Sequence, residues 1–211
     1  MVVSLDHLLT DRSEEQERDL LPTRASLLSR IRDPEGEGWQ EFFETYWKLI
    51  YNTARRHGLM DAEAQDVVQE TMLGVSRKIP TFEYDRSRCS FKTWLMNLTR
   101  WRIKDQLRRR HEHQSLEGSA LEIPEETEFQ RQWDEDWERN LASAAVERVK
   151  QEVQPQTFQI FAFCVLQKKG VEETANVLGV SKARVYLARH RVYNRIAREI
   201  ERLREKSNYT K

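Results

Sequence analysis

The chain has 211 residues, 38% hydrophobic and 33% charged, with 35 basic against 35 acidic side chains and a formal net charge of zero. That length holds one or two small domains, and with only seven Gly and five Pro it predicts an all-helical protein. Cys89 and Cys164 show no metal-ligand spacing, which argues against a disulfide framework and for reduced thiols in a cytoplasmic protein. The sequence has no apolar run of membrane-spanning length and no basic-then-apolar leader, so neither membrane insertion nor export is expected.

Residues 1–23 read as a polar, acidic tail or a marginal helix. From Trp39 onward, Trp39, Phe42, Phe43, Tyr46, Trp47, Ile50 and Ala54 follow i, i+3, i+4, i+7 spacing, which predicts a helix with one continuous apolar face. Gly58 closes it. Asp61 is expected to N-cap the next helix, D-A-E-A-Q-D-V-V-Q-E-T-M-L-G-V-S-R-K-I over 61–79, which Pro80 stops. On that helix Glu63, Asp66 and Glu70 share a face at i, i+3, i+7 and, taken alone, read as a solvated acidic surface.

A polar loop, T-F-E-Y-D-R-S-R-C-S over 81–90, leads to Phe91 and a first basic segment, T-W-L-M-N-L-T-R-W-R-I-K-D-Q-L-R-R-R over 93–110. Arg100, Lys104 and Arg108 fall at i, i+4, i+8 and predict an exposed cationic stripe. Like charges at that spacing repel by roughly a few tenths of a kcal/mol per pair, and a polyanion turns the repulsion into attraction. Tryptophan bordering such a stripe can stack on an unpaired base for about 1–3 kcal/mol. Trp101 lies among Arg100, Arg102 and Lys104 and reads that way. Trp94, beside Phe91, Leu95 and Leu98, reads equally well as core.

Between Glu112 and Glu138 ten acidic residues stand against the single basic Arg131, which predicts an acidic flexible linker over 112–139. Helical pattern returns near Trp133 and runs through A-S-A-A-V-E-R-V-K. After Pro155 the run F-Q-I-F-A-F-C-V-L, 158–166, predicts a buried helix that Gly170 ends. Next comes V-E-E-T-A-N-V-L-G-V-S-K-A-R-V-Y-L-A-R-H-R, two short helices across a tight turn. Ala175 and Leu178 are apolar, Gly179 supplies the turn, Ser181 caps the second helix and Val185 packs back. Val185, Ala188, Val192, Ile196, Ile200 and Leu203 form the predicted buried stripe. Ala183, Leu187, His190 and Asn194 point furthest from it, with Arg184, Arg191 and Tyr186 flanking. Six basic residues and no acid lie between 182 and 198, the arrangement a recognition helix needs for phosphates and base edges.

The order of these elements resembles the extracytoplasmic-function (ECF) sigma factors of bacterial RNA polymerase, in the sigma-70 superfamily. Four segments carry the resemblance: the aromatic helix around 39–51; D-A-E-A-Q-D-V-V-Q-E; S-F-K-T-W-L followed by D-Q-L-R-R; and the closing helix-turn-helix. It implies two helical domains, 24–111 and 140–211, joined by the acidic segment. The first would bind core RNA polymerase through Glu63, Asp66, Gln69 and Glu70. It would hold melted, single-stranded promoter DNA with Asp85, Arg86, Ser87, Arg88, Phe91, Arg100, Trp101, Lys104, Arg108 and Arg109. The second would read duplex promoter DNA with Ser181, Lys182, Ala183, Arg184, Tyr186, Leu187, Arg189, His190 and Arg191. The acidic segment would thread the polymerase's RNA path, and an anti-sigma factor is a possible further partner. Trp101 stands where the family often has Asn, and Arg184, Tyr186 and Ala188 replace a common Thr, Lys and Arg, so base preference does not transfer.

The rival reading is a helix-turn-helix regulator whose first half senses a ligand or dimerises. It requires a ligand pocket or a dimer seam there and has no use for the Trp-flanked basic helix. An enzyme is not expected: the sequence shows no Ser/His/Asp or Cys/His set and no Gly-rich phosphate loop, and nothing in it calls for a cofactor or metal.

Overall fold

The computed structural model describes residues 37–78, 90–113 and 125–208. Among them every regular element is helical. The N-terminal tail, the loop residues Asp85, Arg86, Ser87, Arg88 and Cys89, and the 114–124 part of the expected linker lie outside the described residues. Two compact units divide the rest, 37–140 and 141–204.

In the first unit, α1 (Glu37–Arg56) ends at Gly58, whose φ of +81° lets the Leu59 amide turn back to Ala54 O at 3.3 Å. Helix α2 (Asp61–Lys78) follows. Asp61 does not cap it as expected. The first helical bond runs from Ala64 N to Met60 O at 2.9 Å, so Met60 holds the cap position. Glu63 reaches back to the Met60 amide at 2.6 Å, the carboxylate half of a capping box. Asp61 instead accepts from Tyr51 Oη and from Gln65 Nε2 at 2.7 Å. Helix α3 (Phe91–His113) is capped by Ser90, whose Oγ accepts the Thr93 amide at 3.1 Å. It packs on α2 where Gly74 leaves room. A Cβ there would stand 3.3 Å from Leu98 Cδ2.

The largest departure from expectation is α4 (Glu126–Glu152). Over 126–139 the acidic segment is a helix packed into the first unit. Phe129, Trp133 and Trp137, spaced by four, are 1%, 1% and 3% exposed. Trp137 stacks on Tyr46 at 5.1 Å and meets Phe91 at 6.5 Å, Phe129 lies 4.8 Å from the His57 ring, and Asn140 donates to Thr45 O at 2.7 Å. Its carboxylates settle on cations of the same unit: Asp134 on Lys92 at 2.8 Å, Asp136 on Arg56 at 2.8 Å and Glu126 on Arg100 at 3.1 Å. Charge-rich composition pointed to a linker, but three aromatics on one helical face outweigh it. Each buries about 150–250 Å², worth about 4–6 kcal/mol at 25 cal/mol/Å² as an upper bound. Burial also pushes the His57 imidazole below its ordinary pKa, with Arg56 and Arg100 acting in the same direction, while the Thr53 carbonyl and Asp136 oppose it.

In the second unit α5 (Pro155–Phe161) runs into a π turn over Ala162–Leu166. The Gln167 amide donates to Ala162 O at 2.9 Å. The expected wholly buried helix is only half covered: Ile160, Phe161 and Cys164 are buried and the residues between them are partly exposed. Gly170 does not end it but opens α6 (Gly170–Leu178), the reversal falling on Lys168 at φ +56° and Gly170 at φ +75°. Gly179 at φ +62° closes α6, and the Val180 amide returns to Ala175 O at 3.0 Å. Helix α7 (Lys182–Asn208) buries the predicted stripe, Val185, Ala188, Val192, Ile196, Ile200 and Leu203. Ile160, Cys164, Ala175, Val185 and Ala188 form one cluster with Val171, Leu178 and Val180 against it. Glu199 joins α7 to Arg148 at 2.8 Å. Burial would raise that carboxyl, but hydrogen bonds from Arg202 and Arg148 hold it below its usual value.

Candidate functional site

Three surfaces matter. The first is an open groove between α1 and α2, about 940 Å³, lined by Trp39, Phe43, Trp47, Tyr51, Gln69 and Leu73 among others. Its wall is an aromatic ladder: Phe43 and Trp47 stack at 6.4 Å and Trp47 meets Tyr51 at 6.4 Å, while the Lys48 ammonium stands 5.6 Å from the Trp47 ring. Phe43 and Leu73 remain 37% and 47% exposed. Sequence patterning predicts one apolar face on α1, and the helix carries two. Phe42, Tyr46, Leu49, Ile50 and Ala54 fill the core. Trp39, Phe43, Trp47 and Tyr51, spaced by four, line the groove instead, and that spacing was the signal available.

Of the four residues expected to meet polymerase, only Gln69 lines this groove. The acidic face of α2 turns the other way, onto α3. Glu63 pairs with Arg110, and hydrogen bonding from that guanidinium holds its carboxyl below the usual range despite partial burial. Glu70 takes both Arg102 at 2.9 Å and Arg109 at 3.1 Å, and Asp66 faces Gln106 at 3.4 Å. This face is an internal zipper between two helices, which is where four of the cations and acids singled out in the sequence go.

The second surface is what the zipper leaves outside on α3. Arg100 was expected to be exposed, yet its guanidinium lies 5.5 Å over the Phe129 ring and pairs with Glu126. Phe91, expected to face melted DNA, is 1% exposed, enclosed by Phe42, Tyr46, Trp94 and Trp137. The outward row is instead Asn97, Trp101, Lys104 and Arg108, at i, i+4, i+7, i+11. Trp101 is 55% exposed, with Arg102 lying 4.5 Å from its ring centre. Arg108 bonds Asp105 at 2.6 Å and Arg109 bonds it at 2.7 Å. Asn97 was missed because the basic residues drew the helical phase; its exposed neighbours four and seven positions on were the available signal.

The third surface is the outer face of α7. The Arg184 amide donates to Ser181 Oγ at 3.2 Å, the predicted cap. Lys182 pairs with Glu172, Arg184 donates to Gln156 at 2.6 Å, and the Arg189 guanidinium lies 5.3 Å from the Tyr186 ring. Ala183, Leu187, His190, Arg191 and Asn194 are exposed, and Asn194 Nδ2 lies 3.2 Å from His190 Nε2. Two helices across a three-residue turn, the second presenting cations without acids over 182–198, suit a duplex groove. Among the described residues no three or more His, Cys, Asp or Glu are grouped to hold a metal ion, and no helix is long and apolar enough to cross a membrane.

The family model for sigma-70 region 2 matches residues 42–112. The ECF RNA polymerase sigma factor BldN of Streptomyces coelicolor is 24% identical over 172 residues, covering 82% of this chain and 64% of the relative. Both likenesses are to sigma-70 proteins, the second to one of ECF type. The chain spans about two thirds of the length of that relative. The region 2 match takes in α1 from Phe42 onward, α2 and nearly all of α3, so the Trp101 row and the groove apart from Trp39 lie within it. It ends before α4, so the aromatic half-helix that closes the core of the first unit lies beyond the matched range.

Proposed function

We propose that this chain is a sigma factor, a dissociable subunit that binds core RNA polymerase in the cytoplasm, directs it to promoters and opens them. The observation that carries this is the Asn97–Trp101–Lys104–Arg108 row inside the region 2 match: a half-exposed indole between a carboxamide and cations, with no role in the core. Lysine and arginine meet phosphates and the indole stacks on a base once it leaves the duplex, so binding energy is gained only on opening. The α1–α2 groove, with Gln69 and Leu73 on its rim, docks on polymerase, and an anti-sigma partner that blocked docking would cover the same groove. The second unit reads duplex DNA through α7. No covalent chemistry is required of any residue.

The test is run-off transcription from genomic promoters by purified core polymerase, with and without the chain. Promoter-specific transcripts are expected only with it. Their absence on every promoter tried would remove the sigma assignment. One observation favours the regulator alternative, the groove itself, since a sensing domain needs a pocket. A regulator would bind duplex DNA without polymerase and start no transcript, so the same experiment separates the two.

A further inference from the structure

On α7 the cations nearest the N-terminus are already engaged within the fold: Lys182 with Glu172, Arg184 with Gln156, Arg189 over Tyr186. What projects between them is apolar. Ala183 is exposed, and Leu187, one turn further along the same face, is 65% exposed. The core beneath is filled by Val185 and Ala188, so Leu187 adds nothing to it. It sits instead on a helical stretch with six basic residues and no acid between 182 and 198, matched in charge to a phosphate-lined groove. The N-terminal half of a recognition helix is the part that reaches base edges. Those edges offer hydrogen-bond donors and acceptors for every base pair, but a single apolar feature, the C5-methyl of thymine.

We propose that Leu187, with Ala183 beside it, reads thymine methyls in the major groove, so that the duplex element recognised by this chain contains at least one A·T pair fixed by methyl contact. The inference rests on the second unit binding duplex DNA. Arg191, His190 and Asn194 lie further along the same face and supply the polar contacts, while Lys182 and Arg184 exchange Glu172 and Gln156 for phosphates as the helix enters the groove.

The test uses the full chain and a pool of randomised 14-base-pair duplexes, from which the most enriched duplex is taken as the probe. Each thymine is then replaced by uracil, which deletes only the methyl. At one or two positions the substitution is expected to weaken binding about fourfold per methyl, the factor for one CH₂-sized apolar group returned to water. Cytosine and 5-methylcytosine at those positions should differ by the same factor. Leu187→Ala, an exposed helical change, should lower affinity for the thymine probe by the same amount and bind thymine and uracil probes equally. Leu187→Met should keep the discrimination. Equal binding of thymine and uracil at every position by the parent chain overturns the inference, as does persistent discrimination by Leu187→Ala. If no duplex is enriched, duplex reading by the second unit fails and this inference falls with it.

Discussion

Trp101→Ala separates a stacking side chain from a packing one. The indole is 55% exposed, so a little under half of its surface is covered. Taking a buried Trp as about 150–250 Å², truncation returns about 100 Å² to water, at most about 2.5 kcal/mol. That is below the usual domain stability of about 5–15 kcal/mol, so the variant stays folded. In an opened promoter the same ring gains about 1–3 kcal/mol per stacked base. If the base takes the face that Arg102 now covers, about 0.5–1 kcal/mol of cation–π energy is given up. The net, about 0–2.5 kcal/mol and centred near 1.25 kcal/mol, corresponds to roughly 8-fold fewer open complexes and at most about 70-fold. Permanganate reactivity of bubble thymines, read beside a gel-shift of the same holoenzyme complexes, measures opening and closed binding separately. Loss of opening with closed binding retained is expected. Equal opening by mutant and parent, or equal loss of both signals, would refute the stacking role.

Trp137→Ala should lower the stability of the first unit by about 3–5 kcal/mol, moving its urea midpoint by about 2 M; a change within about 0.5 kcal/mol would mean that 126–139 is a linker after all. Leu73→Asp should leave thermal stability nearly unchanged while reducing co-purification with core polymerase at least about tenfold, since the side chain is half exposed on the groove rim and a carboxylate there must be desolvated on docking. Undiminished co-purification would take the groove out of the interface. Glu70→Lys, in contrast, should destabilise the chain before it affects any partner, because it sets a third cation between Arg102 and Arg109; thermal melts check this directly. The pH dependence follows from His57. Its folded pKa lies below the ordinary 6.5, so the unfolded chain binds the proton first. Stability fully present above pH 6.5 should therefore decline as pH falls through that value toward the folded pKa. Glu63 and Glu199, held below 4.5, add their own losses only in more acid solution. Thermal melts at pH 7.5 and 5.5 should differ for the parent and differ less for His57→Gln, and pH-independent melts of the parent would contradict the burial argument.

Local pattern alone determined a good deal of this protein. The helices α1 and α2 and the α6–turn–α7 arrangement with Gly179 and Ser181 are all written in spacing and capping chemistry. On α7 even the exposed row was legible, because its buried stripe is apolar without a break and every other position is fixed by the helical period. For α2, α3 and the acidic segment, pattern was not enough. Periodicity assigns residues to a face but does not say what covers it. Glu63, Asp66 and Glu70 made a sound acidic face, and Arg102, Arg109 and Arg110 a sound basic one; only tertiary packing set the first against the second. Arg100 and Phe91 were lost to the interior for a similar reason. The helix that covers them begins about 25 residues further on, in a segment whose ten acids hid three aromatics at four-residue spacing. A carboxylate at a helix edge costs little when it finds a cation, whereas an indole left in water forgoes several kcal/mol. The aromatics therefore set where 126–139 lies, and its charges pair with what they find there.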